Sequence, residues 1–402
     1  VSLFILTTFV FATTINVPAD YSTIQGGING AVDGDTVLVA AGTYVENVNL
    51  SGKSIVIIGD GQETTIIDGA QNGRVITFDN PSNQDASSIL KGFTIKNGTW
   101  NGDGAGIYVY YGNLVMKDLI IRNNTTNPAN GGGITIENSS NSSISNCIIE
   151  ENESRPKGGG IYINNSTILI SNTVINNNDV YATSGGSGAA GAGLCYNNSN
   201  VTLEYVEISN NHSQNAGGGF YGQNDGNITI NNSTVVKNNA FPVEGDPFYS
   251  SYVGQGNGGG FYLVDNATAT IKNSIIWANS ADLNNNIGAN NLNNISITYS
   301  DIEGSWEGSG NINTYPLFID STAADFTLQA GSPCIDAGDP ESDLDPDGTV
   351  ADMGAFYYDQ SATNTYSLSF DGTDDYVEIT NQSSATSVFE YAFTSTAWVK
   401  VT

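Results

Sequence analysis

The stretch Gly158-Gly-Gly-Ile-Tyr-Ile-Asn-Asn-Ser-Thr-Ile-Leu-Ile-Ser-Asn-Thr-Val-Ile-Asn-Asn-Asn178 contains the pattern that decides the fold. Its apolar residues come in short alternating bursts, Ile161-Tyr162-Ile163 and Ile168-Leu169-Ile170, with no sustained helical period. The bursts read as strands, and the Gly and Asn between them tolerate the positive φ of tight corners. Outward from this stretch the same unit recurs between Gly102 and Asn279, with Gly-Gly-Gly or Gly-Ala-Gly ending at Gly106, Gly133, Gly160, Gly193, Gly219 and Gly260. Each copy closes on an aliphatic residue three places before an Asn: Ile121/Asn124, Ile149/Asn152, Ile175/Asn178, Ile208/Asn211, Val235/Asn238 and Ile276/Asn279. A unit of roughly 27 residues cannot bury its own apolar side chains, so the copies must stack as a solenoid.

Three bursts per unit predict a coil of three strands, and stacked coils predict an all-β, right-handed parallel β-helix. The closing Asn column predicts an amide ladder along one corner, each side chain donating to one neighbouring coil and accepting from the other. A second column, Asp118, Asn146, Asn172, Tyr205, Asn232 and Asn273, repeats the same spacing and is expected to form a second ladder. Ahead of the stack, Ile24, Ile28 and Val32 at i, i+4 and i+8 predict a short capping helix over the open end, with Ser22 as its cap.

Composition narrows the function. Eleven Lys plus Arg face 41 Asp plus Glu, a formal charge of −30, which excludes nucleic acid and anionic membrane surfaces as natural partners. A polyanionic sugar would need a bridging metal. Arg74, Arg122, Arg155 and the lone His212 leave few groups to move protons near neutral pH, which weighs against catalysis. Arg122 with Glu150 and Arg155 with Lys157 read as solvated ridge residues, and His212 as a corner residue. The apolar run Val1–Ala12 reads as the remnant of a secretory signal, too short to span a bilayer. Cys147 is expected to point into the core and Cys195 outward, so a disulfide between them is not expected.

The face following the glycines suggests binding. If Ile107, Ile134, Ile161, Leu194, Phe220 and Phe261 point inward, then Tyr108, Thr135, Tyr162, Cys195, Tyr221 and Tyr262 point outward. Four tyrosines flanked by Glu137, Asn164, Asn197 and Gln223 suit the apolar faces and hydroxyls of a polysaccharide. The insertions Asn178–Gly193 and Asn238–Gly260 enter this face and are expected to wall a groove, the second contributing Phe241, Phe248, Tyr249 and Tyr252. The carbohydrate-binding candidates are therefore Tyr108, Glu137, Tyr162, Tyr221, Tyr249, Tyr252 and Tyr262. The plain alternative is that Tyr is simply a good outward strand residue.

Several segments carry resemblances. Asp35-Thr-Val-Leu-Val-Ala-Ala-Gly-Thr-Tyr-Val-Glu46, Ile55-Val-Ile-Ile-Gly-Asp60 and Thr65-Ile-Ile-Asp-Gly69 resemble the start of pectin-lyase-like β-helix proteins. The Gly-Gly-Gly/Ala-Ile and aliphatic-x-x-Asn pairs are similar to the repeats of chlamydial polymorphic outer-membrane proteins, which implies a surface-displayed, adhesin-like role. Enzymes of the pectin-lyase fold present carboxylate calcium ligands with a basic residue, three Asp with a His, or an Asp pair with Gln and Arg, and no such constellation stands out here. Tyr299-Ser-Asp-Ile-Glu-Gly304, Tyr315-Pro-Leu-Phe-Ile-Asp320, Leu328–Pro340 and Asp352-Met-Gly-Ala-Phe356 resemble a choice-of-anchor module and imply export. Tyr366–Ile379 with Ala397-Trp-Val-Lys400 resembles the opening of a laminin-G-like or concanavalin-like jelly roll, too short here to be complete. Asp343, Asp345, Asp347 and Asp352 alternate before a glycine turn as calcium ligands would, with Asp336 and Asp339 able to complete the set, so a structural Ca²⁺ competes with a plain acidic turn.

The expected organisation is a signal remnant at 1–12, a cap at 13–32, a β-helix at 33–298, the module at 299–360 and the fragment at 361–402. The expected function is non-catalytic recognition of carbohydrate or cell surfaces by a secreted or surface-bound monomer. A calcium-assisted polysaccharide lyase and a structural spacer are the rivals.

Overall fold

The computed structural model describes residues 12–80, 86–183, 188–242 and 256–361. From Thr99 onward the coils pass through three parallel sheets, and the coils before it through two. A nine-stranded front sheet runs from Val48–Asn49 to Ile287–Ala289, and a seven-stranded narrow sheet from Thr99–Trp100 to Ser280–Ala281. The third, long sheet takes the most residues per coil, as in Asn113–Arg122 or Thr167–Asn176. Facing side chains fill one continuous core, with Ile107, Ile134, Ile161, Leu194, Phe220 and Phe261 all fully buried. The right-handed parallel β-helix expected from the sequence is the observed fold.

The closing asparagines form the ladder. Nδ2 of Asn124, Asn152, Asn178, Asn211 and Asn238 each donates to Oδ1 of the Asn one coil on, at 2.9–3.0 Å. Asn279 passes the chain to Asn286 at 3.0 Å. The same Oδ1 atoms also accept a backbone N–H, so each amide satisfies several buried groups. The glycine triplets share this corner. Gly158 has φ +65°, and a Cβ on Gly160 would sit 2.7 Å from the carbonyl of Gly193 and 3.1 Å from Nδ2 of Asn178.

The second column has a different role. Asp118, Asn146, Asn172, Tyr205, Asn232 and Asn273 all have φ between +44° and +55° and bend each pass of the long sheet. Amide contact survives only in places, as from Asn146 Nδ2 to Asp118 Oδ1 at 3.1 Å. Asn and Asp recur there because they tolerate left-handed backbone, not because they form a second ladder.

The N-terminal helix, α1, spans Ile24–Gly30 with Thr23 as its cap rather than Ser22; Thr23 Oγ1 accepts from Gly26 N–H at 3.0 Å. Glu46 takes the first N–H groups, from Ile24 at 2.9 Å and Gln25 at 3.0 Å. Lys53 Nζ donates to the carbonyls of Ile28 and Ala31, both at 2.7 Å. Opposite charges thus hold both ends of a helix with three glycines. Ile24 and Ile28 are buried, but Val32 is 51 % exposed because Ala31 turns extended and ends the face.

The parallel stack continues past residue 298, through Asp301–Ile302. The chain then folds back over the outer face of the long sheet. A hairpin of Phe318–Asp320 and Asp325–Leu328 begins this cover. Phe318, Phe326, Leu328, Cys334 and Met353 pack on Val236 and Ile275 in a second core. Gly354 N–H donates to the carbonyl of Asn273 at 2.9 Å and Ala355 N–H to Thr234 Oγ1 at 3.0 Å. One compact unit accordingly runs to Tyr358, so the expected module is not a separate body from the solenoid. The signal remnant up to residue 11 and the jelly-roll fragment from residue 362 lie outside the described residues.

Candidate functional site: a groove on the front sheet

Strand register fixes the outward column as expected: Tyr108, Thr135, Tyr162, Cys195, Tyr221 and Tyr262 pair coil to coil. Their surroundings divide the column. The Arg74 guanidinium lies 3.8 Å from the Tyr108 ring centroid and 5.3 Å from that of Trp100, so the Tyr108 face is already covered. Tyr162 keeps only 7 % of its surface, and Cys195 beneath the same column is fully buried although it points outward. Burial pushes the Cys195 thiol up to about 12, so it is a neutral packing group. Cys147 points into the core as expected, and all three cysteines are free. Tyr221 and Tyr262 remain half-buried with their rings 6.2 Å apart and tilted by 30°.

Glu137 is not free to receive a ligand in the way its position suggests. Oε2 accepts from Tyr108 Oη at 3.1 Å and Oε1 from Asn164 Nδ2 at 3.2 Å. Asn197 Nδ2 continues the chain to Asn164 Oδ1 at 2.7 Å, making an outer ladder beside the tyrosines. Burial, then the Glu137 charge and hydrogen bond, push the Tyr108 phenol upward. Burial also lowers the Arg74 guanidinium from its ordinary value, against the charges of Tyr108, Asp103, Asp79 and Glu137 that raise it.

A groove of about 790 Å³ opens where this sheet meets the corner before the glycines. Its floor is Tyr162, Tyr221 and Tyr262; its wall includes Asn130, Lys157 and Asn257. The wall is a column the sequence reading missed. Four residues before the first inward side chain stand Asp103, Asn130, Lys157, Ala190, Ala216 and Asn257, bridged coil to coil from Lys157 onward. That constant offset was the available signal, hidden because no single residue type runs through the column. Lys157 Nζ donates to Gln223 Oε1 at 2.8 Å and lies 5.8 Å from the Tyr221 ring centroid. Arg155, its expected ridge partner, instead meets Glu153 at 3.8 Å and the Tyr181 ring at 4.8 Å. Arg74 was also missed, because it precedes the regular repeats.

The remaining candidates disperse. Tyr249, Tyr252 and Phe248 lie outside the described residues, while Phe241 lends its carbonyl to His212 Nε2 at 3.2 Å. His212 sits on a two-residue strand, its Nδ1 3.5 Å from Asp179, and Arg122 meets Glu150 at 3.9 Å. In the acidic turn the carboxylates of Asp345, Asp347 and Asp352 are engaged by local hydrogen bonds, while Asp345 and Asp352 lie within electrostatic reach of Asp336. Asp343 is exposed, while Asp347 Oδ1 accepts from Thr349 N–H at 3.1 Å. Asp345 Oδ2 accepts from Asp352 N–H at 2.7 Å. Both oxygens of Asp352 accept backbone N–H groups, from Asp336 at 2.7 Å and Tyr358 at 2.6 Å. Asp339 pairs with Lys272 at 3.3 Å. Among the described residues no group of three or more His, Cys, Asp or Glu could hold a metal ion.

Coils, amide ladder and outward groove together define a right-handed parallel β-helix with one distinctive face. Residues 37–322 match the family model described as right handed beta helix region, and the chain belongs to that family. Solved structures are similar in fold. Pectate lyase Pel9A aligns at 13 % identity with a TM-score of 0.50, covering 87 % of this chain and 97 % of its own. A pectin methylesterase from carrot aligns at 12 % identity with a TM-score of 0.33, covering 79 % and 92 %. No curated protein matches the chain. Among the described residues no helix is long and apolar enough to cross a membrane.

Proposed function

We propose that this protein is a non-catalytic, carbohydrate-recognising β-helix of the secreted or cell-surface kind, binding a polysaccharide along its front-sheet groove. The observation that carries the reading is the Tyr221–Tyr262 pair, half-buried on the floor of a groove whose wall supplies amides from Asn130 and Asn257. Half-buried rings lose little conformational freedom on binding and offer flat apolar faces to a pyranose, while amides suit its hydroxyls. Adhesin-like display fits an acidic chain whose repeats resemble those of polymorphic outer-membrane proteins. The resemblance of the C-terminal motifs to an anchor module fits export.

One observation favours a lyase-like enzyme instead: Arg74 lies within electrostatic reach of Asp79, Asp103 and Glu137 on the same face. A glycan array probed with the full chain, with Ca²⁺ and with a chelator, separates the readings. Binding without unsaturated products supports recognition. Unsaturated products, followed by ultraviolet absorbance and lost in Arg74→Ala, would replace it with the enzyme. Silence in both would leave a spacer.

A further inference from the structure

Lys157 is conspicuous in so acidic a chain. Among the described residues Lys91, Lys96, Arg122, Arg155 and Lys272 meet carboxylates within 4 Å, whereas Lys53, Arg74, Lys117, Lys157 and Lys237 have none at ion-pairing distance, and of these five Lys157 is the one that lines the groove. Its ammonium sits in the groove, held by one neutral hydrogen bond to Gln223 and lying beside the Tyr221 ring. The next two positions of its corner column are Ala190 and Ala216, whose small side chains leave the space beside it open among the described residues. Two coils to the other side, about 10 Å away, the same column carries Asp103, whose Oδ1 accepts from Asn130 N–H at 2.7 Å.

We infer that Lys157 and the open corner at Ala190 and Ala216 form a subsite for a single carboxylate or sulfate on an otherwise neutral glycan. This rests on the carbohydrate reading and sharpens it. An ammonium with one neutral partner gains a charge-assisted bond from an anionic ligand without first breaking an ion pair. A chain charged on every residue gains the same bond but also sets negative groups beside Asp103 and against a protein of charge −30. The groove therefore selects sparse negative charge rather than a continuous polyanion.

The test uses the full chain in a chelator-containing buffer. It measures affinity for acidic glycans from an array, for their carboxyl-reduced or desulfated counterparts, and for polygalacturonate. Sparsely acidic glycans should bind tightest, and removing their anionic group should weaken binding about tenfold, as for one charge-assisted hydrogen bond. Lys157→Gln should cause the same loss for the native glycan and none for the neutralised one, the signature of a direct pair. Asp103→Asn should raise the affinity for polygalacturonate. Unfolding midpoints of both variants are the control for folding. If neutralised glycans bind as tightly as native ones and Lys157→Gln changes nothing, the subsite is wrong while carbohydrate recognition stands. Tightest binding to polygalacturonate also overturns the subsite. If a folded chain binds no glycan, the recognition reading and the subsite fall together.

Discussion

Two corners of the same repeat have opposite characters. At one, Asn124, Asn152, Asn178, Asn211, Asn238 and Asn279 are the same residue in all six repeats, at most 3 % exposed, with their amides closed on one another. At the other, Asp103, Asn130, Lys157, Ala190, Ala216 and Asn257 draw on four residue types and face a groove. The first corner solves a problem every coil shares, how to satisfy buried polar groups at a turn, so one solution is copied. The second has no such shared demand and is free to vary, and variation on a rigid frame is what a binding surface requires.

The largest way to break this comparison is Asn178→Ala. It removes the donors to Ile149 O, Asn176 O and Asn211 Oδ1 and the acceptor for Asn152, leaving several buried groups unpaired. A loss of roughly 4 kcal/mol is expected, read by denaturant unfolding, with glycan affinity per folded molecule unchanged.

A pH titration sharpens the picture of the cover over the long sheet. Burial pushes Glu207 up to about 7, and Asp301 and Asp352 up to about 6. Each is protonated more readily folded than unfolded, so each stabilises the fold at low pH and loses that contribution as pH rises through about 6 to 7. Thermal midpoints should therefore fall between pH 5 and pH 8, by a free energy of about 3 kcal/mol, and Glu207→Gln should flatten the fall. Below about pH 4 the trend reverses, because Asp20, Asp35, Asp68, Asp320 and Asp339 are each held low by hydrogen bonds to their ionised form and lose that support on protonation.

Gly222→Ala should cost about 2 kcal/mol by overpacking. A Cβ there would meet the Tyr196 ring and hydroxyl at 2.3 Å, in the coil where a fully buried Tyr replaces the usual aliphatic residue. The smallest effect belongs to the variable corner. Asn257→Ala should change stability by under about 0.5 kcal/mol yet weaken glycan binding measurably in a titration.

The fold was legible in the sequence because stacking demands repetition: the glycine triplets and closing asparagines are each forced by a contact to the next coil. The site was legible only in part. Alternation correctly placed Tyr108, Tyr162, Tyr221 and Tyr262 on one face, but period-two reasoning says nothing of what lies above a residue. Arg74 over Tyr108 and the near-complete burial of Tyr162 are contacts between segments without a common spacing. The long-sheet column misled for a related reason, since Asn serves both ladders and left-handed bends and only the backbone distinguishes them. The cover by residues 313–358 was hidden because Asn232 and Asn273 continue a column that stands exposed at Asn146, Asn172 and Tyr205, so the same repeat serves bare and covered coils. Asn232, Thr234 and Asn273 bind it through atoms that solvent would satisfy equally well.

The most direct test pairs one variant from each corner, Asn178→Ala and Tyr221→Ala/Tyr262→Ala. Unfolding midpoint and affinity for the strongest glycan on the array are measured for both. Separated effects are predicted: a large loss of stability with unchanged affinity in the first, and lost affinity with a much smaller loss of stability in the second. Parallel loss of both quantities in both variants would contradict the division of labour between a copied corner that holds the coils and a variable face that binds.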